Sequence, residues 1–226
     1  MTLISILCLF TLSTAFPRNG LLAGGGGNLS FTTADFSDVQ VLDITKAPMP
    51  GYNLGLLYEH ALVWRLSLLT GGVFDSRGEI HDFSLAGSEN VFAGNHYTIQ
   101  YLQVPVLLQM NFGGPSIFLN LCGGVEFGLL LSANRETNIG NSSVDTDISA
   151  NIQELDAGYT LGAGTEVELG KAALYLRPSM YFGLVDVLSD ELKRQPLEGR
   201  NPVNGMEEVT YKHISMRLQA GIKFYL

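Results

Sequence analysis

The stretch "ISMRLQAGIKFYL", residues 214–226, alternates without a break. Ile214, Met216, Leu218, Ala220, Ile222, Phe224 and Leu226 form one set; Ser215, Arg217, Gln219, Gly221, Lys223 and Tyr225 form the other. Successive side chains of a strand point to opposite faces. Extended, this segment is therefore wholly apolar on one face and carries two cations on the other. A period of two excludes an amphipathic helix and predicts a strand between two different environments.

The same period recurs upstream. Leu174, Leu176, Pro178, Met180, Phe182 and Leu184 oppose Tyr175, Arg177, Ser179 and Tyr181. Tyr159, Leu161, Ala163, Val167 and Leu169 oppose Thr160, Gly162, Gly164, Glu166 and Glu168. Ile117 through Leu131 oppose Asn120, Cys122, Gly124, Glu126 and Gly128, and Leu102 through Phe112 oppose Tyr101, Gln103, Gln109 and Asn111. Leu62, Trp64, Leu66, Leu68 and Phe74 oppose Arg65, Ser67 and Gly71. Weaker strands at 52–59 and 20–32 bring the expected total to eight. Tight turns are expected at 59–60, 113–114 and 170–171, and long polar connections at 33–50, 75–96, 133–154 and 187–211. Short and long connections alternate strictly. An up-and-down sheet of this kind carries all its tight turns at one end and all its long loops at the other, the pattern of an outer-membrane barrel.

A soluble eight-stranded barrel alternates too, with its apolar face inward. Two features favour the membrane. The polar faces carry Arg65, Arg177, Arg217 and Lys223 with Glu126, Glu166 and Glu168, a mixed set suited to pairing in a narrow lumen. Aromatics gather near strand ends, at Tyr52, Tyr58, Trp64, Phe112, Tyr159, Phe182 and Phe224, as interfacial girdles require. The expectation is an all-β, eight-stranded antiparallel transmembrane barrel with short periplasmic turns and four long extracellular loops. The net charge of −9 gives no electrostatic footprint for nucleic acid.

Residues 1–15 are expected to be a signal peptide, leaving residues 16–226 as the barrel domain. Leu3–Leu12 is an apolar core, and Ser13 and Ala15 are the small residues before a cut, although no Lys or Arg precedes the core. Cleavage would remove Cys8 and leave Cys122 without a disulfide partner. A closed barrel pairs its last strand with its first. The stretch "IKFYL" also resembles the C-terminal signal that the outer-membrane assembly machinery reads, which implies that role for Ile222, Phe224 and Leu226.

With "GLLAGGGGNLS", "YLQVPVLLQMNFGGPSIFLNLCGGVEFGLLLS", "DAGYTLGAGTEVEL", "LYLRPSMYFGLVDV" and "ISMRLQAGIKFYL", the chain resembles the PorT-type outer-membrane β-barrel proteins of Bacteroidetes, within the porin-like small barrels. Gln103 stands where that family's fourth strand has an acid, and Leu226 where a terminal Phe is usual. The resemblance implies fold and location. It implies no activity, although some relatives are linked to secretion or to the cell surface.

Gly24–Gly27 lacks the Lys-Ser/Thr and the helix of a phosphate loop, so these glycines are read as making room for lumen side chains. His60, His81, His96 and His213 are scattered, and none occupies the mid-wall outward place of a lipid hydrolase. Asn141, Asp145 and Asp147 do not follow a calcium-loop spacing. Eight strands leave an interior only wide enough for side chains, not a diffusion pore. No enzyme, metal or cofactor is expected. The expected partners are outer-membrane lipid, the assembly machinery and an unidentified protein, with the barrel a monomer. The parity of the strands predicts a lumen network of Arg65, Arg177, Arg217 and Lys223 with Glu126, Glu166 and Glu168. Glu59 is a fourth acid, and Glu166 is expected to couple to Arg217.

Overall fold

A computed structural model describes residues 18–33, 42–85, 91–113, 116–140, 142–187 and 212–226. The expected leader, 1–15, lies outside them. The elements are β1 (Gly20–Thr32), β2 (Leu42–Ala61), β3 (Leu66–Leu85), β4 (Val91–Gly113), β5 (Ile117–Ile139), β6 (Ser142–Asp147), a 3₁₀ turn (Ser149–Asn151), β7 (Leu155–Leu169), β8 (Ala172–Gly183) and β9 (His213–Tyr225). Every strand but β6 belongs to one closed ring, in the order β1-β2-β3-β4-β5-β7-β8-β9 and back to β1. All pairings are antiparallel. The ring closes where β9 runs against β1 from Gly20↔Tyr225 to Thr32↔His213. The barrel is the expected eight-stranded one.

Alternation places the apolar sets outside. Leu102, Val104, Val106 and Leu108 of β4, Leu119 to Leu131 of β5, and Met216, Leu218, Ile222 and Phe224 of β9 all face outward and are exposed. The inward face buries Asn53, Gln103, Gln109, Asn120, Glu126, Glu166, Arg177, Arg217 and Lys223. This is a soluble protein turned inside out, as a wall bathed in lipid requires.

The boundaries differ from the sequence reading in two respects. The first tight turn lies at 62–65, not 59–60, so Leu62 and Trp64 sit in the turn and not on the wall. Trp64 has a φ of 51°, a left-handed conformation that Cβ sterics make uncommon in a non-glycine residue. Second, much of the expected loops at 33–50, 75–96 and 133–154 is strand. β2 to β5 run 20–23 residues, whereas β1, β8 and β9 have 12–13. The long strands cross the belt and continue above it as a polar sheet, to which β6 adds by pairing with residues 134–139. Neither side of these parts meets lipid, so they lack the continuous outward apolar face that marks the wall strands in the sequence.

Two register shifts, at Met49/Tyr52 and Gln100/Tyr101, mark the level where belt gives way to this sheet. Aromatic pairs stand at the same end: Tyr52 lies 5.7 Å from Phe74, and Tyr159 stacks on Phe182 at 4.9 Å.

Candidate functional site: the filled lumen

The lumen is arranged in layers. At the turn end, Lys223 Nζ contacts Glu59 Oε2 at 2.7 Å and Glu166 Oε2 at 2.9 Å. Asn120 donates to Glu166, and Asn111 donates to Ser67 and Glu59. An apolar layer follows, made by Leu22, Leu57, Leu69, Val73, Leu107, Cys122 and Tyr175. Glycines of facing strands make space for its largest ring: a Cβ on Gly24 would stand 2.2 Å from the Tyr175 hydroxyl, and one on Gly221 would stand 2.8 Å from its ring. Gly24 of β1 and Gly221 of β9 thus form a seat for a lumen tyrosine.

Above this layer lies a ladder of alternating charge. Arg217 donates to Glu126 at 2.8 Å, to Asp75 at 2.9 Å and to Gln103 at 2.7 Å. Asp75 Oδ2 also accepts from Arg77 Nε at 2.6 Å, and its other oxygen accepts from Asn28 at 2.8 Å. Arg77 reaches on to Asp156 at 2.9 Å, and Tyr181 donates to the same oxygen at 2.7 Å. The Tyr181 ring lies between two guanidinium groups, 4.1 Å from that of Arg77 and 5.0 Å from that of Arg217. Gly158 leaves room for this ring, since a Cβ there would lie 2.5 Å from it. Every ladder residue is at least nine-tenths buried. A carboxylate so placed is tolerable only because each is paired and hydrogen-bonded.

At the outer end the chain after β6 packs against the wall. Ile148 and Ile152 flank the 3₁₀ turn and pack with Ile99, Tyr101, Ala133 and Val187. Backbone bonds from Ile148 to Ala133 and from Gln153 to Val187 hold them there. Ser149 caps Ala133 through its hydroxyl at 2.9 Å, and Asp147 accepts from the Ser149 amide. Asp147, considered above as an oxygen ligand, is thus engaged as a turn acceptor; Asn141 lies outside the described residues. Among the described residues no group of three His, Cys, Asp or Glu side chains is placed to hold a metal ion.

The charged residues singled out by parity take these places. Glu126 pairs with Arg217, and Glu166 pairs with Lys223 rather than with Arg217. Arg177 is buried, donates to Gln109 at 3.0 Å and lies against Tyr175. Glu168 sits at the rim and meets Arg18 at 3.1 Å. Arg65 belongs to the 62–65 turn, its guanidinium 5.2 Å from the Trp64 ring. Asp75, Arg77 and Asp156 were not singled out, although they form the centre of the ladder. Their signal was the run Asp75, Arg77, Glu79, His81, polar at every second place, in a segment read as loop for want of an apolar counterface.

The family model of the outer membrane protein beta-barrel domain matches residues 14–189, well over half of the chain. The chain belongs to this family. Its long connections therefore face the outside of the cell and its tight turns the periplasm. No curated protein matches the sequence of this outer-membrane barrel significantly. Among solved structures it is similar to neisserial surface protein A, NspA, at 9% identity and a TM-score of 0.49, over 94% of this chain and 99% of that one. It is similar to OprG of Pseudomonas aeruginosa at 11% identity and a TM-score of 0.45, over 93% and 97%. It is also similar to the attachment invasion locus protein Ail of Yersinia pestis at 12% identity and a TM-score of 0.39, over 92% and 100%.

Ile222 and Phe224 of this outer-membrane barrel point outward on β9, and Leu226 ends the chain with its amide bonded to the Asn19 carbonyl at 3.0 Å. The three residues lie at the seam between first and last strands, on the periplasmic side.

Proposed function

We propose that this outer-membrane barrel is a structural and surface-interaction protein that works through the polar sheet it raises above the membrane. The observation that carries this reading is the unequal strand length. A barrel that only spanned the membrane would need about 9–11 residues per strand. β2 to β5 run to twice that, and β6 extends the same sheet with all six of its residues exposed. The lumen ladder, by contrast, spends its charges on pairs within itself.

The resemblance to PorT-type barrels supports a second reading, an accessory part of a secretion or envelope-assembly machine. One experiment separates the two. The gene is deleted and restored with the full chain, or with a chain in which 78–98 and 132–147 are each replaced by a short Gly-Ser turn. Surface attachment lost with the trimmed chain, while protein secretion stays normal in the deletion strain, supports the first reading. A secretion defect that even the trimmed chain repairs overturns it in favour of the second. A lipid profile altered by the deletion would instead point to lipid-modifying activity.

A further inference from the structure

Arg177 differs from the other lumen cations. Arg77, Arg217 and Lys223 each touch two carboxylates. Arg177 is 3% exposed and has Gln109 as its hydrogen-bond partner, and among the described residues no carboxylate pairs with it. Its Nε has no partner within the protein, nor have the hydroxyl of Thr160 and the Nε of Arg217. All three residues line one cavity of about 20 Å³, together with Glu126, Ser179, Gln219, Cys122 and the apolar side chains of Leu57, Val73 and Leu107.

We propose that this cavity is an internal hydration site: one ordered water accepts from Arg177 and Thr160 and donates to Glu126. Three observations select water. The volume suits a single molecule, since about 10–15 Å³ admits one. The orphaned groups include an obligate donor, the Nε of Arg177, so the occupant must present an acceptor. Charge then decides against an anion. Asp75, Glu126 and Asp156 face Arg77, Arg177 and Arg217, three against three, and a further negative charge would unbalance a desolvated network. Water supplies the acceptor with no charge and donates an O–H hydrogen bond to the Glu126 carboxylate. Arg177 is thereby tied to the ladder without touching it.

The test uses the wild-type barrel, crystallised from detergent in sodium bromide at a resolution that shows ordered solvent. The expected result is one peak without anomalous signal within hydrogen-bond reach of Arg177 Nε and Thr160 Oγ1. An anomalous bromide peak there would identify an anion site and overturn the proposal, and so would an empty cavity between well-ordered walls. In solution, Thr160→Val and Arg177→Met remove two partners of one molecule. The losses in melting temperature are expected to be smaller together than their sum. Strict additivity counts against a shared water.

Discussion

Asp75 is the residue on which most of the lumen depends. One of its oxygens is shared by two arginines, and the other holds Asn28. Asp75→Asn leaves Arg77 with Asp156 alone and Arg217 with Glu126 alone. Breaking a buried pair typically costs about 3–5 kcal/mol, because the surviving charge stays desolvated. A loss of that order is expected in urea unfolding from lipid vesicles. Glu168→Gln is expected to cost less than about 1 kcal/mol, since its partner Arg18 is half in solvent. Equal losses for the two would show that water reaches the ladder. The same geometry settles which pairs couple. Arg217 and Glu126 are expected to be strongly non-additive in a double-mutant cycle, and Glu166 with Arg217 additive, since Glu166 spends its oxygens on Lys223 and Asn120.

At the scale of elements, the legible parts were those with lipid on one side. β4, β5, β7, β8 and β9 stand where their apolar alternation put them, because one face meets hydrocarbon and the other a polar lumen. The sheet above the membrane was illegible for the converse reason. Residues such as Asp82, Asn95, Thr98 and Asn134 are polar, and they are held as strand by backbone pairing and by side-chain bonds such as that from Thr137 to Asn95. The apolar inward layer was hidden differently: Leu57, Leu69 and Leu107 occupy polar-face positions and dilute the contrast between the faces. Misplacing the first turn followed from reading Leu62 and Trp64 as alternation, when Val63 between them is apolar and exposed as well. That turn now carries an expectation of its own. Leu62, Val63 and Trp64 present an exposed apolar tip at the periplasmic end, next to the cation Arg65. Trp64 is the only tryptophan in the chain, so fluorescence reports it directly. In vesicles its emission is expected to be blue-shifted and quenched by lipids labelled near the headgroup, as for an interfacial anchor. Emission like that of free tryptophan, untouched by such lipids, would place the turn in water. β9 carries a second expectation. Phe224→Asp with Leu226→Asp puts charge at the seam near the interface, where the direct cost is modest. Reduced delivery to the outer membrane is expected; normal delivery and folding would leave the assembly signal without support.

At the scale of the whole molecule, the question is whether a closed wall of eight strands conducts. Three obstacles lie in series along the axis. At the outer end Ile148 and Ile152 pack with Tyr101 and Val187 into an apolar plug. Below it, Arg77 lies between the rings of Tyr101 and Tyr181 at 5.4 and 4.1 Å, bound to carboxylates on two different strands. Below that, the side chains of Leu22, Leu57, Leu69, Val73, Leu107 and Tyr175 form a largely apolar layer. An ion crossing this layer would lose its hydration without replacement, and the Born penalty in such surroundings is several kcal/mol even after relaxation. Removing the outermost of the three leaves two in place. Purified protein in a planar bilayer is therefore expected to show no unit steps of conductance. A variant with Ile148→Ser and Ile152→Ser is expected to stay equally silent, while its plug becomes open to protease. Steps that appear in the variant and not in the wild type would mean that the plug is the gate of a pore and that the layers beneath it move aside. Steps in both would mean that the lumen is not filled in the membrane as it is here.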